Sequence, residues 1–364
     1  MQISDPPGEA LRTVTLSIVP VRPAAERYEI GEELGRGGMA VVHAATDRAN
    51  GRKLALKRLL VQGDAPKQRR SAELFEREYL ALAQLTHPCI VTVHDYGIDL
   101  EGAYYTMELV DGADLQQLSP LPWRQAVALA RDCCSALAFL HSRRLVHRDI
   151  SPRNLRKTAS GRGKLLDFGA LAPFGLSKLI VGTPPCCAPE VLQLQALDGR
   201  ADIYALGTVL YYTLVGQHAY AARNFSMLSQ LWQSPPVPPS QFVPDVPAEL
   251  DALVLDLLRL DPDARPASAA EVLQRLSAID GESPGDEAYA AQAYLATPPL
   301  VGREDALARA RRKLKRSMYG TPHALVVDGI SGVGRSRLLG ACLLEATLLG
   351  VCVARADADD ALHG

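Results

Sequence analysis

"LVHRDISPRNL", Leu145–Leu155, is the stretch that decides how this chain is read. It sets Asp149 five residues before Asn154, with His147 and Arg148 ahead of the acid. Such a pair suits chemistry better than a packed core. A carboxylate can take a proton from a hydroxyl, and an amide oxygen is a hard donor of the kind Mg²⁺ prefers. Ser151 and Arg153 stand between them, so a cation is also present on the same short loop.

Downstream, "KLLDFGA" supplies Asp167, Phe168 and Gly169. An Asp at a strand end before Gly is a second candidate Mg²⁺ ligand. "GTPPCCAPE" and "RADIYALG" follow. Upstream, "LGRGGMAVV" puts Gly35, Gly37 and Gly38 in an expected turn between two strands, where bare backbone N–H groups can approach phosphates. "LALK" puts Lys57 on an otherwise apolar strand. An inward-pointing Lys needs an anion. Glu78, in the helical stretch "FEREYLAL", is the expected partner, because it lies one turn before Leu82. Glu76 is rotated away from it. Leu74, Phe75, Leu82 and Leu85 are the expected apolar stripe.

The bulk composition narrows the classes. The 364 residues leave room for one large domain and part of another. With 39 basic and 41 acidic side chains, the chain lacks the basic excess of a nucleic-acid binder. Seven cysteines without a CxxC pair read as free thiols of a reducing cytoplasm. No basic start leads into an apolar run, so no signal peptide is expected. The longest apolar run, "IYALGTVLYYTLVG", is too short for a membrane span. "SPPVPPSQFVPDVP" reads as a rigid internal loop, and the basic run Arg309 to Arg316 as a solvated helix face.

In order, the glycine loop, Lys57, Glu78, His147-Arg148-Asp149, Asn154, Asp167-Phe168-Gly169 and Ala188-Pro189-Glu190 resemble the protein-kinase set. "GRGGMA" and "THPCIVTVHDYG" resemble the bacterial serine/threonine kinases of eukaryotic type. The resemblance implies an α+β, two-lobed fold with a small β-rich N-lobe and a large helical C-lobe. It covers residues 28–279, with the N-lobe about 28–109 and the C-lobe about 110–279. Residues 1–27 read as a loose tail and 280–299 as a linker.

Site roles follow from the resemblance. Leu34, Gly35, Gly37 and Gly38 would cover ATP, with Ala40 where many kinases have a third Gly. Val42, Ala55 and Met107 would border the adenine, and Glu108 and Val110 would offer backbone groups to its edge. Lys57, oriented by Glu78, would hold the α and β phosphates. Asp149 would take or orient the substrate hydroxyl, and Asn154 and Asp167 would hold Mg²⁺. His147 would brace the loop, Asp202 would anchor it, and Glu190 with Arg265 would form a structural ion pair. Thr183 resembles the Thr that contacts the catalytic Asp in the serine/threonine type. Two departures stand out. Ser151 occupies the place of a Lys, which makes Arg153 the candidate replacement cation, and Cys186 occupies the place of an aromatic. Ser177 is the candidate phosphosite, with Arg148 as the group that would meet its phosphate.

Residues 300–364 read as the start of a truncated α/β P-loop module. "GISGVGRS", with Gly329, Gly334 and Ser336, fits a Walker A loop except that Arg335 replaces Lys. "LVGREDALARARRKL" resembles the entrance to regulatory P-loop ATPase modules. The chain is thus expected to be a cytoplasmic, Mg²⁺- and ATP-dependent serine/threonine kinase of bacterial signalling, acting on proteins and on itself, with no membrane segment. The alternatives are a pseudokinase, a nucleotide-binding scaffold regulating the attached module, and a sensor arm whose output is that module.

Overall fold

Ala40–Asp47 is mostly small and β-branched and Lys53–Leu59 is rich in Leu, and a period of two sends successive side chains of each strand to opposite faces of a sheet. The computed structural model describes residues 2–4, 23–60, 64–177, 179–281, 303–318, 325–328, 338–339, 341–343 and 346. These fall into two units. One holds the described residues up to Leu80, Val93–Leu109 and those from 303 on; the other holds Ala81–Thr92 and 110–281.

The first unit is built on five antiparallel strands: β1 (Tyr28–Arg36), β2 (Ala40–Asp47), β3 (Lys53–Leu59), β4 (Val93–Asp99) and β5 (Gly102–Glu108). Their spatial order is β1-β2-β3-β5-β4. Register sets Val42, Lys57 and Tyr105 in one cross-strand row and Ala44, Ala55 and Met107 in the next. Rows two residues apart share a face. Ala40, Leu59, Ala103 and Tyr105 on that face pack with Phe75 and Tyr79 of helix α1 (Ala65–Leu82). The other face packs Leu54, Leu56 and Tyr104 against Ala24 and Tyr28.

Two expectations are corrected here. Leu74 is 37% exposed, so the buried stripe of α1 is Phe75, Glu78, Tyr79 and Leu82. At 100° per residue a neighbour of Phe75 falls off its face, and Leu85, though buried, lies beyond the helix end. The expected loose tail also contains ordered pieces. Gln2–Ser4 pairs antiparallel with Val326–Asp328. A helical turn, Ala24–Arg27, buries Ala24, whose N–H donates to Asp99 Oδ2 at 3.0 Å. Elements this short carry too little periodicity to be read from sequence.

Towards the C-terminus, the helix Glu304–Met318 buries Ala306 and Ala310 with Leu338 and Cys342. Arg309, Arg311, Arg312, Lys315 and Arg316 are exposed, a solvated face. The loop of Gly329, Gly334, Arg335 and Ser336 lies outside the described residues.

The second unit is mainly helical. It contains a small sheet of β6 (Gly112–Asp114), β7 (Leu155–Thr158) and β8 (Gly163–Leu165), with α2 (Trp123–Ser142), α3 (Gly199–Val215), α4 (Ala248–Leu257) and α5 (Ala269–Asp280). Helix α2 packs on α3 and α5, and α3 packs on α4. Helix α3 is buried nearly all round, so its apolar run has no polar face. It ends on Gly216 at φ 81°, a left-handed cap that suits glycine. The proline-rich stretch is held inside the unit, where Ser240 N–H and Oγ both donate to Asp251. Among the described residues no helix is long and apolar enough to cross a membrane.

Arg265 makes a buried bidentate pair with Glu190, at 2.6 and 2.9 Å, and also donates to the carbonyls of Arg200, Arg259 and Leu260. Removing one partner of a buried pair strands the other charge. Glu190→Ala is expected to cost about 3 kcal/mol, the low end for such a loss because three carbonyls still hold Arg265. A urea titration checks it: a midpoint within error of the wild type would contradict this reading.

Candidate active site

In the first unit, Lys57 projects from β3 toward α1. Its Nζ lies 2.6 Å from Glu78 Oε1, with both side chains largely buried. The same carboxylate oxygen accepts a hydrogen bond from Tyr105 Oη at 2.9 Å. Glu76 lies elsewhere on the helix and is half-exposed. The turn between β1 and β2 is closed by Gly37 N–H donating to the Ala40 carbonyl at 2.8 Å. Gly35, expected in the turn, lies near the end of β1 and pairs with Val42, because the strand runs on to Arg36; a Cβ added there or at Gly38 would meet nothing within 4 Å. Packing therefore does not demand glycine there, and the turn leaves open the space a phosphate group would need. Ala55 is buried, Val42, Met107 and Glu108 are half-buried, and Leu34 is 39% exposed. Val110, buried, belongs to the second unit.

In the second unit, the loop of the opening motif is organised by Asp202 on α3. The carboxylate is wholly buried and accepts from His147 N–H at 2.8 Å, Arg148 N–H at 2.9 Å and His141 Nε2 at 2.9 Å. Burial alone would raise its pKa, but the His141 hydrogen bond and the neighbouring imidazoles outweigh this and hold it below the usual carboxylate range. His147 is wholly buried and packs edge-on against Phe168 at 4.7 Å. Its Nδ1 accepts from Asp149 N–H at 3.3 Å, and burial lowers its pKa, so the ring ties its own residue to the acid two positions on.

Asp149 follows, with both carboxylate oxygens engaged. Oδ1 accepts from Thr183 Oγ1 at 2.8 Å, and Oδ2 from Asn154 Nδ2 at 3.0 Å. Burial raises the Asp149 pKa, against the lowering pull of Thr183, His147 and Asn154. Asn154 Nδ2 also donates to the Asp149 carbonyl at 2.9 Å. That leaves the Asn154 Oδ1 as its remaining polar atom. Asp167 is exposed at φ 52°, and Gly169 N–H donates to its Oδ1 at 3.2 Å. The two side chains offer hard oxygen donors that fit Mg²⁺. Among the described residues no cluster of three or more His, Cys, Asp or Glu forms a metal cage. Mg²⁺ carried in on a nucleotide would not require such a cage.

The segment after Asp167 is stitched to this loop. Ala172–Pro173 pairs with Leu145–Val146, and Gly175–Leu176 with Ala196–Leu197. Gly182, at φ 111°, must be glycine: a Cβ would come within 2.5 Å of the Arg148 carbonyl oxygen. Arg148, itself at φ 68°, donates through Nε to the Ala170 carbonyl at 2.6 Å and through Nη1 to Ser177 Oγ at 2.8 Å. Ser151 is buried. Arg153 is exposed and its Nε donates to the Gln116 side chain, so the structure does not bring it to Asp149. Cys186 is buried.

The description "Protein kinase domain" matches residues 28–276, more than half of the chain. The chain belongs to the protein kinase family. It is 36% identical over 278 residues to the serine/threonine-protein kinase PknB of Mycolicibacterium smegmatis, covering 71% of this chain and 44% of that one. It is 34% identical over 275 residues to PknB of Mycobacterium leprae, with the same coverages. A probable serine/threonine-protein kinase of Streptomyces coelicolor is 35% identical over 277 residues, covering 71% of this chain and 41% of its own. The chain thus spans less than half the length of these curated relatives. These likenesses support the bacterial, eukaryotic-like serine/threonine type, and a kinase fold with a sheet-rich N-lobe and a helical C-lobe.

Two site contacts escape sequence reading. His141 meets Asp202 from α2, and Tyr105 meets Glu78 from β5. Both depend on packing and register rather than on spacing within a motif. Thr183 gives a test of the electrostatics. Its hydroxyl favours the charged form of Asp149, so Thr183→Val should raise that pKa further. If Asp149 is the base, the acid limb of kcat/KM is expected to move to higher pH in this variant, because that carboxylate is protonated sooner as pH falls. A pH–rate profile superposable on the wild type would rule this coupling out.

Proposed function

We propose that this kinase domain transfers the γ-phosphoryl group of ATP to Ser or Thr hydroxyls of protein substrates, and to its own chain. The observation that carries the reading is the Asp149 carboxylate, held by Thr183 on one oxygen and by Asn154 on the other. A base fixed this way is aimed without being neutralised. Asp149 receives the proton of the substrate hydroxyl as its oxygen bonds to the γ-phosphorus. The bond from that phosphorus to the β-phosphate oxygen breaks, and ADP leaves. Lys57, oriented by Glu78, holds the α and β phosphates under the glycine turn. Asn154 and Asp167 would hold Mg²⁺, which offsets phosphate charge. Leu34, Val42, Ala55 and Met107 would contact the adenine, with the backbones of Glu108 and Val110 at its edge.

The scaffold alternative is disfavoured because Lys57, Glu78, Asp149, Asn154 and Asp167 are all present, and it rests on Ser151 in the place of a Lys and Cys186 in the place of an aromatic. We read the compartment as cytoplasmic, in keeping with free, buried thiols at all six described cysteines. Residues 329–336 read as a degenerate Walker A loop on sequence alone. A nucleotide-binding equivalent that survives in Lys57→Ala and disappears in Arg335→Ala would support that module.

Asp149→Asn is expected to lower phosphotransfer by about 10²–10⁴-fold with ATP affinity nearly intact. Labelled ATP, Mg²⁺ and a generic acceptor protein provide the assay, and equal turnover in variant and wild type would sink the assignment. Mass spectrometry of the same reaction reads Ser177, whose hydroxyl already touches Arg148. Phosphate absent there in fully active protein would remove it as a regulatory site. With Nε of Arg153 on Gln116, the terminal nitrogens of its guanidinium are the groups that could serve the phosphoryl. If they do so, Arg153→Ala lowers kcat more than it raises KM for ATP. A steady-state ATP titration decides it, and an unchanged kcat retires the relocated cation.

A further inference from the structure

We infer that Tyr105 is a positioning residue that holds Glu78 in the orientation in which it pairs with Lys57. The inference rests on the reading of Lys57 as the cation that holds ATP phosphates. The Tyr105 hydroxyl and the Lys57 ammonium converge on a single oxygen, Glu78 Oε1, at 2.9 and 2.6 Å. The second oxygen, Oε2, is buried and has no hydrogen-bond partner among the described residues. The carboxylate is therefore held from one end by two donors of different character. One is a point charge on a flexible four-carbon stem. The other is a hydroxyl on a rigid ring with two side-chain torsions.

The ring itself cannot wander. Register sets Tyr105 directly opposite Lys57, so both side chains leave the sheet on the face that meets α1. Phe75 and Tyr79, which flank Glu78 on the buried side of that helix, pack on the Tyr105 ring at centroid distances of 5.1 and 5.7 Å. Residue 105 is 1% exposed, in a cluster of Ala40, Leu59, Phe75, Tyr79 and Ala103. A Phe would satisfy that packing alone. The hydroxyl adds a desolvated polar group to an apolar core, and its bond to a buried carboxylate offsets that cost. Without the hydroxyl, Glu78 Oε1 keeps only the lysine, and the ion pair gains freedom to pivot. The consequence falls on the aim of Lys57, not on the packing of the helix.

The test is a double-mutant cycle on the full chain, with Tyr105→Phe, Glu78→Gln and the double variant. Three quantities are read: kcat and KM for ATP, the equilibrium dissociation constant for Mg²⁺ with ATP, and the thermal midpoint. Tyr105→Phe is expected to lower kcat/KM for ATP roughly 10-fold, mainly through KM, and to weaken ATP binding in parallel. Its thermal midpoint should stay near the wild type, because the ring remains. In the Glu78→Gln background the same change should have little further effect, since the residue it acts through is already altered. Wild-type kcat/KM in Tyr105→Phe would overturn the inference, as would equal losses in both backgrounds, which mark a packing role. A wild type that binds ATP but transfers no phosphate would fail the phosphotransfer reading alone. The cycle would still be read in the dissociation constants. A wild type that does not bind ATP would end both.

Discussion

The second unit depends on one buried carboxylate. Asp202 sits on α3, the helix buried nearly all round, and a lone ionised acid in such a place would be very costly. Three donors meet it, and two of them are consecutive backbone N–H groups, His147 and Arg148. This fixes the peptide from which the whole loop hangs. It also stabilises Arg148 at φ 68°, a conformation that costs a bulky residue about 1–3 kcal/mol. From that peptide, Arg148 reaches Ala170 and Ser177, while Asp149 meets Thr183 and Asn154. Gly182 lies against the Arg148 carbonyl, so the segment that follows Asp167 is seated by the same constraint.

The first unit uses different physics. Its polar centre is set by strand register and helix phase. Lys57 and Tyr105 are opposed across β3 and β5, and α1 presents Phe75, Glu78 and Tyr79 to them. An apolar shell around two charges strengthens their attraction and raises the cost of a misplaced one. Small changes of helix phase therefore act directly on a charge pair.

This contrast explains what was legible in the sequence. Asp149, Asn154, Asp167 and Thr183 are readable because their order and spacing along the chain carry the resemblance. Glu78 is readable over Glu76 because helical phase can be counted from Leu82. Leu74 is apolar but lies one residue off the buried face of α1, so residue type alone misleads there. Tyr105 and His141 were out of reach, since a cross-strand neighbour and a helix-to-helix contact need the register that only the folded chain supplies. Gln2–Ser4 was out of reach because its partner strand is far along the chain, at Val326–Asp328. Arg153 is legible only by its offset from Asp149, and its contact with Gln116 depends on how the loop packs.

The geometry at Asp149 bears on how a substrate hydroxyl is received. An ionised carboxylate has about four lone-pair sites. Thr183 and Asn154 occupy one on each oxygen, which leaves an acceptor direction on both. On the proposed role of Asp149, an incoming hydroxyl would dock without displacing either internal donor. Both neighbours act as rails: they limit the rotation of the acid while leaving its capacity to accept intact.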